Sequence, residues 1–384
     1  MGVSTIEDQF FLKTKVYFSR DSLKSLKQVK GSRAFIVSDS IMESLGYLQQ
    51  VVDYLNDAGI SSTIFTGVRP DPDVSLIADG LKLYGDCGAD VLVAIGGGSA
   101  IDSAKGILYF AWKFGAIEGA EIKKPLFIAI PSTSGTGSEV TDFSVITSNG
   151  EKVVVVDEFI APDMAILDST CIQHVPQRVV ADTGMDVLVH AIEAYVSTKA
   201  TDFTDALAEK AIKLIFENLE TLYKDPKNDI ARDHVLNASC LAGMAFTNTG
   251  LGINHSLAHA FGGTFHISHG RSNALLLNAV IEYNADLHGS LGEYAANRYA
   301  KLATVLQLPA RTKREGTVNL IQAIKRLKKS LGVEDKIRDL GIEQTEFTNA
   351  LDHMIESALL DRCTPSNPRV PAKEDLKHIF KKCY

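Results

Sequence analysis

From residue 34 to 167, short runs rich in Val and Ile alternate with stretches whose apolar positions recur every three to four residues. The runs Ala34–Val37, Ser62–Phe65, Val91–Ile95, Leu126–Ile130, Phe143–Ile146, Val153–Val156 and Ala165–Leu167 read as strands. Leu45–Ala58 and Val74–Cys87 read as the helices between the first of them. Such alternation implies a parallel sheet covered by helices. Past Pro176 the spacing turns helical, in Asp186–Val196, Thr204–Leu222, Ala231–Phe246 and Tyr294–Leu306. The predicted fold is an N-terminal α/β domain over 1–174 followed by an all-α domain over 175–384. A chain of 384 residues exceeds the size at which one core usually keeps growing, which agrees with two domains.

Composition narrows the class. Hydrophobic residues at 45% and charged residues at 22% fit a globular protein rather than a disordered or membrane-spanning one. A net charge of −8 argues against a nucleic-acid surface, which needs clustered Lys and Arg. The five cysteines are scattered and odd in number, as expected of reduced thiols in a cytosol. Residues 1–15 show no signal peptide, and no apolar run approaches a bilayer span, so cytoplasmic residence without a membrane partner is expected.

Two loops carry the first chemistry. Gly96-Gly97-Gly98-Ser99 follows the strand Val91–Ile95 and precedes a helix expected to begin near Ile101. Bare amides at a helix N-terminus attract phosphate, although the pattern is neither GxGxxG nor a P-loop. The segment Pro131–Glu139 follows the strand Leu126–Ile130 with five hydroxyls suited to phosphate and ribose oxygens. Two such strand ends converge more naturally on one dinucleotide than on unrelated turns. Asp39, closing the first strand, is placed to accept from a ribose and to repel a 2′-phosphate, favouring NAD over NADP; a plain helix cap is the competing reading.

The second chemistry is a metal constellation. Asp186 and His190 stand i, i+4 on one helix face, and four of the ten histidines, His255, His259, His266 and His269, fall within fifteen residues. One carboxylate with imidazoles and no thiolate suits iron, zinc, cobalt or nickel, without choosing among them. The isolated His174, His234, His288, His353 and His378 are expected to be satisfied core or cap residues.

The runs GGGSAIDSAKGI, PSTSGTGSEVT, DTGMDVLVHAIEAYVS and GLGINHSLAHAFGGTFHISHG resemble the iron-containing (group III) alcohol dehydrogenases, in the family's order and over nearly the whole chain. The likeness is greatest to the propanol and ethanol dehydrogenases of propanediol and ethanolamine utilisation. The resemblance implies a dehydroquinate synthase-like fold and metal ligands at Asp186, His190, His255 and His269. It puts His259 near the nicotinamide as the candidate catalytic residue and His266 outside the ligand pattern. It implies dinucleotide contacts at Asp39, Asp71, Gly97, Gly98, Ser99, Asp102, Ser132, Thr133, Thr136 and Lys152. Cofactors are then NAD(H) and Fe(II), with Zn(II) as the alternative metal. The partner is a small primary alcohol or aldehyde, and the assembly a homodimer in the cytoplasm or in a bacterial microcompartment. Arg271 and Asn278 depart from the family's commoner residues, which leaves pocket shape and substrate preference open. Two alternatives stay in view: an enzyme of the same architecture using NAD transiently, as dehydroquinate synthases do, or a glycerol-type dehydrogenase. A noncatalytic scaffold would be expected to have lost ligands from the set.

Overall fold

The computed structural model describes residues 9–117, 123–148 and 151–384. They divide into two compact units, one from Leu12 to Val175, the other from Pro176 to Tyr384 with the described residues before Leu12.

In the α/β unit, β1 (Lys15–Phe18), β2 (Arg33–Asp39), β3 (Ser61–Val68), β4 (Val91–Gly96), β5 (Leu126–Pro131) and β8 (Met164–Leu167) form a parallel sheet in the order β1-β8-β5-β4-β2-β3. The period-2 alternation of strand side chains builds two cores from it. Ile36, Val93, Ile95, Ile128, Ile130 and Ile166 face one side with Leu48, Val51 and Leu55. Phe35, Val37, Leu92, Ala94, Phe127 and Ala129 face the other, against Ile77, Ile101, Ile107 and Leu108. Both faces being covered, the strands read as near-continuous apolar runs. From β2 the chain proceeds to β3 on one side, while from β4 it proceeds to β5 on the other. The switch point therefore falls between the carboxyl ends of β2 and β4, where open α/β sheets take their ligands.

Three features depart from the sequence expectation. The strand β1 was not in it. The helix expected over 45–58 is α2 (Tyr47–Asp57), and an unexpected short helix, α1 (Ser40–Ser44), precedes it across Gly46, whose φ of 81° favours glycine. The strands β6 (Phe143–Ser148) and β7 (Glu151–Val156) leave the parallel sheet and pair antiparallel with each other. Two further helices, α3 (Val74–Cys87) and α4 (Gly98–Ile117), complete the unit; α4 begins three residues before the expected Ile101.

The second unit is helical throughout its described residues: α5 (Gln177–Val196), α6 (Asp202–Lys224), α7 (Asp229–Thr249), α8 (Ile253–Phe265), α9 (His269–Asn284), α10 (Glu293–Val305), α11 (Lys313–Ser330), α12 (Gln344–Leu360) and α13 (Lys373–Cys383). α5 starts directly after Pro176, nine residues before the expected Asp186, and from Val180 to Val196 it is buried on nearly every side. A helix apolar all round belongs at the centre of a bundle. The polar residues it carries there therefore need a reason.

Candidate metal centre and dinucleotide loops

On α5, residues Asp186, His190 and Glu193 stand at i, i+4 and i+7 and share one face. α8 contributes His255 in its first turn, and α9 opens with His269. One donor atom each from Asp186, His190, His255 and His269 lies within 4.8 Å of the other three. Asp186 Oδ1 is 3.5 Å from His269 Nε2 and 3.8 Å from His255 Nε2. Donors sharing one tetrahedral ion at ordinary bond lengths stand about 3.3 Å apart. The His190 and His255 rings stack with centroids 4.6 Å apart.

The electrostatics fit a cation. Asp186 is buried, and burial pushes its carboxyl above the ordinary range, opposed by His190 and by a 2.8 Å hydrogen bond from Asn273 Nδ2. Burial likewise drives the His255 imidazole well below its usual value. His255 Nε2 is buried with no hydrogen-bond partner among the described residues, whereas its Nδ1 lies 2.5 Å from Glu193 Oε2. A buried ring nitrogen left without a partner is costly unless something accepts its lone pair. A divalent ion would do so and would also supply the positive charge that Asp186 faces. The residues present therefore fit the metal that the donor chemistry implies.

His259, one turn beyond His255, is outside this quartet. Its ring stacks on that of His269 at 5.3 Å, its Nδ1 is 2.8 Å from Asp361 Oδ2, and its side chain is 37% exposed. Hydrogen bonding to His259 holds the Asp361 carboxyl far below the usual range against the opposing effect of burial. His266 is exposed and closes α8 in the left-handed conformation, which accounts for it as a helix C-cap. The isolated histidines are not core residues: His174, His288, His353 and His378 are exposed and His234 is half-buried. Arg271 points into a buried tie, its Nε and Nη2 on Asp182 Oδ1 and its Nη1 on Glu334. Asn278 is buried, with Oδ1 lacking a partner among the described residues.

Sequence reasoning missed Glu193, Asn254, Asn273 and Asp361; Phe246, a plausible pocket wall by its place in the sequence but set aside as core, stacks its ring on His190 at 4.5 Å. Glu193 had a usable signal, its place on the Asp186–His190 face. Asn254 and Asn273 had none, because only the pairing of α8 with α9 brings Asn254 Nδ2 within 2.8 Å of Asn273 Oδ1.

In the α/β unit, the two Gly/Ser/Thr loops do meet. Ser132 N donates to Gly96 O at 2.8 Å. A Cβ on Gly97 would stand 3.4 Å from Thr133 Cγ2, and one on Gly98 only 2.8 Å from Thr136 Cγ2, so glycine at 98 is what lets the second loop close on the first. Ser99 lies in the first turn of α4 beside them. Asp39 caps α1, its Oδ1 accepting from Ile41 N and Met42 N at 2.9 Å. Its Oδ2 sits over Gly96, 3.1 Å from where a Cβ would be, so the cap and the ligand reading use different oxygens. Asp102 is turned inward, accepting from Ser138 Oγ at 2.7 Å and Val145 N at 3.2 Å. Asp71 and Lys152, far apart in sequence, form an ion pair. The pair exists because the β6–β7 hairpin docks on the loop after β3, where Thr147 N donates to Pro72 O. Beneath the second loop the buried Lys105 donates to Ser138 O, Thr141 Oγ1 and Phe143 O at 2.7–2.8 Å. Burial pushes Lys105 down to about 8 and the neighbouring Glu139 up to about 7.

A parallel sheet with Gly/Ser/Thr-rich loops after β4 and β5, and a helical unit with an Asp/His donor set, together suit a metal-dependent enzyme. The description "Iron-containing alcohol dehydrogenase" matches residues 13–169, and "Fe-containing alcohol dehydrogenase family, C-terminal" matches residues 180–384. The chain belongs to the iron-containing alcohol dehydrogenase family. It is 40% identical to an NADPH-dependent butanol dehydrogenase of Clostridium saccharobutylicum, with 98% of each chain covered. It is 39% identical to the 1-propanol dehydrogenase PduQ of Citrobacter freundii, covering 97% of this chain and 98% of that one. Against an aldehyde-alcohol dehydrogenase of Streptococcus pneumoniae, 39% identical, it spans 45% of the relative's length. The solved iron-containing alcohol dehydrogenase of Thermococcus thioreducens superposes with a TM-score of 0.89 at 36% identity, covering 98% of this chain and 99% of that one.

Proposed function

We propose that this enzyme transfers a hydride reversibly between NAD(H) and a small primary alcohol or aldehyde, such as 1-propanol and propanal or ethanol and acetaldehyde. The observation that carries this reading is the quartet Asp186, His190, His255 and His269, the first three buried, which would hold Fe(II), with Zn(II) as the alternative. When bound, such an ion supplies Lewis-acid polarisation of the substrate oxygen, and the nicotinamide accepts or returns the hydride. The chain's own residues do the rest. Asp186 and the three imidazoles would hold that positive charge for the substrate oxygen, and Phe246 fixes the His190 ring by stacking. His259, half-exposed and oriented by Asp361, is the proposed group for moving the alcohol proton between the substrate and solvent.

For the dinucleotide, Gly97, Gly98, Ser99, Ser132, Thr133 and Thr136 offer amides and hydroxyls to the pyrophosphate and the nearby ribose. Asp39 takes the adenosine ribose, and the Asp71–Lys152 pair borders the cofactor. Asp102 contributes by holding the loop through Ser138. The butanol and propanol dehydrogenases among the relatives support the substrate class. A homodimer, and residence in the cytoplasm or a bacterial microcompartment, are proposed on the resemblance; no described helix is long and apolar enough to cross a membrane.

The test is anaerobic purification, reconstitution with Fe(II), and NADH absorbance with propanal, before and after a chelator. Activity should vanish on chelation and return with Fe(II), with Zn(II) as the parallel arm. NADH left unchanged with simple aldehydes and alcohols under both metals would sink the dehydrogenase reading and favour the transient-NAD alternative.

A further inference from the structure

Behind the metal quartet lies a carboxylate that the donor count does not use. Glu193 is buried at the centre of the helical unit, and its two oxygens are spent differently: Oε1 accepts from Asn254 N at 2.7 Å, and Oε2 lies 2.5 Å from His255 Nδ1. The approach is enforced from a third side. A Cβ on Gly252, which precedes α8, would stand 2.8 Å from Glu193 Oε1, so the absence of a side chain there lets α8 seat its first turn on this carboxylate. The same turn carries His255, and the nitrogen left over is Nε2, buried, without a hydrogen-bond partner among the described residues, and turned toward Asp186.

We infer that Glu193 is a positioning residue for the metal centre, accepting the Nδ1–H of His255 and thereby reserving Nε2 for the ion. The inference rests on the proposed metal site and adds to it a residue outside the quartet. A neutral imidazole carries one N–H, and its position decides which nitrogen keeps a lone pair. With Glu193 as acceptor, the proton sits on Nδ1 and the ring cannot turn over without breaking a buried hydrogen bond. Outer partners of this kind are typically worth ~10–100-fold in metal affinity.

Glu193→Gln keeps the volume but offers one acceptor where two donors, Asn254 N–H and His255 Nδ1–H, converge. If the amide oxygen faces Asn254, the NH2 group faces Nδ1, favours an Nδ1 lone pair and puts the proton on Nε2. If it faces His255, the NH2 group confronts Asn254 N–H. Either placement disfavours the ligating tautomer or leaves a buried donor unpaired.

The experiment is Zn(II) titration of the full-length protein against a chromophoric chelator, with thermal melts of the metal-free forms as the folding check. Glu193→Gln should weaken Zn(II) binding by ~10–100-fold. In a His255→Ala background the same change should do nearly nothing further, because the residue acts through that ring. Unchanged affinity in the single variant overturns the inference. So does a further loss of equal size in the His255→Ala background, which would mean that Glu193 acts on the ion by charge. Wild-type protein that takes up no Zn(II) or Fe(II) overturns the metal centre itself, a result distinct from either. Should Glu193→Gln fail to fold, ¹⁵N-histidine spectra of the wild-type Zn(II) form decide, with His255→Ala giving the assignment. Metallation at Nε2 with a proton on Nδ1 supports the inference; metallation at Nδ1 overturns it.

Discussion

At the scale of single residues, Asp39 is where two needs meet on one side chain. Its Oδ1 holds the first turn of α1, and its Oδ2 lies over Gly96 at the end of β4. Replacement by Ala would lose about 1 kcal/mol of capping together with the charge and would confound the two roles. Asp39→Ser separates them, because a serine hydroxyl can still cap. We expect Asp39→Ser to melt near the wild type while the ratio of kcat/KM for NADP to that for NAD rises at least ~10-fold, since the carboxylate no longer repels a 2′-phosphate. An unchanged ratio would remove Asp39 from the cofactor site. The Clostridium relative, an NADPH-dependent enzyme, makes this ratio the first kinetic quantity to measure. Of the quartet, helix periodicity put only Asp186 and His190 on one face; the choice of His255 and His269 from the histidine cluster came from the family resemblance, since spacing alone pairs His255 with His259. Glu193 obeys the same rule but was passed over, since a Glu on a helix reads as a solvated face until burial is known.

Elements hold these residues in place through polar ties as well as apolar packing. α5 and the start of α9, which carry residues of the quartet, are joined by Arg271, which binds Asp182 one turn before Asp186 and stands two residues after His269. Ser268 Oγ donates to the same carboxylate at 2.6 Å, and Glu334 completes the guanidinium's partners. Arg271 therefore bears on the alignment of two helices. Removing one member of a buried ion pair strands the other, at a cost of about 3–5 kcal/mol. Arg271→Leu, which restores an apolar residue there, should lower unfolding stability by about that much in a urea titration, and adding Asp182→Asn should recover part of the loss. A change under about 1 kcal/mol would show that the tie contributes little. Element identity was readable from periodicity, but pairing was not. The β6–β7 hairpin has the same Val-rich composition as the parallel strands, and only its short connection, lying outside the described residues, separates an antiparallel partner from a further sheet strand. The short helix α1 ahead of Gly46 was likewise unread, being too brief to show a helical period.

For the whole molecule, the proposed ligand groups belong to different units, the quartet to the helical one and the Gly/Ser/Thr loops to the α/β one. A ligand that binds only the folded state stabilises what it touches by mass action. Hydrogen exchange read by peptide should therefore show protection rising in α5, α8 and the start of α9 on adding Fe(II) or Zn(II). NAD+ alone should raise it from Gly96 to Ser103 and from Pro131 to Glu139. Uniform protection from either ligand, or none, would contradict this assignment of sites to units. The change of texture at Pro176 was legible because a parallel sheet and a helical bundle impose different periods. The long-range meeting of Asp71 with Lys152 was not, since it depends on how a hairpin docks and leaves no mark in local spacing.

One asymmetry of the metal quartet bears on kinetics. Asp186, His190 and His255 are buried, whereas the His269 side chain is 43% exposed and begins its helix. If the quartet holds the proposed ion, its release would begin at the donor nearest water, which is His269. His269 would then be the latch of the site, and substitutions beside it should speed metal escape more than they alter the final geometry. The shelf life of the enzyme outside a cell would then be set by how often that one ring lets go.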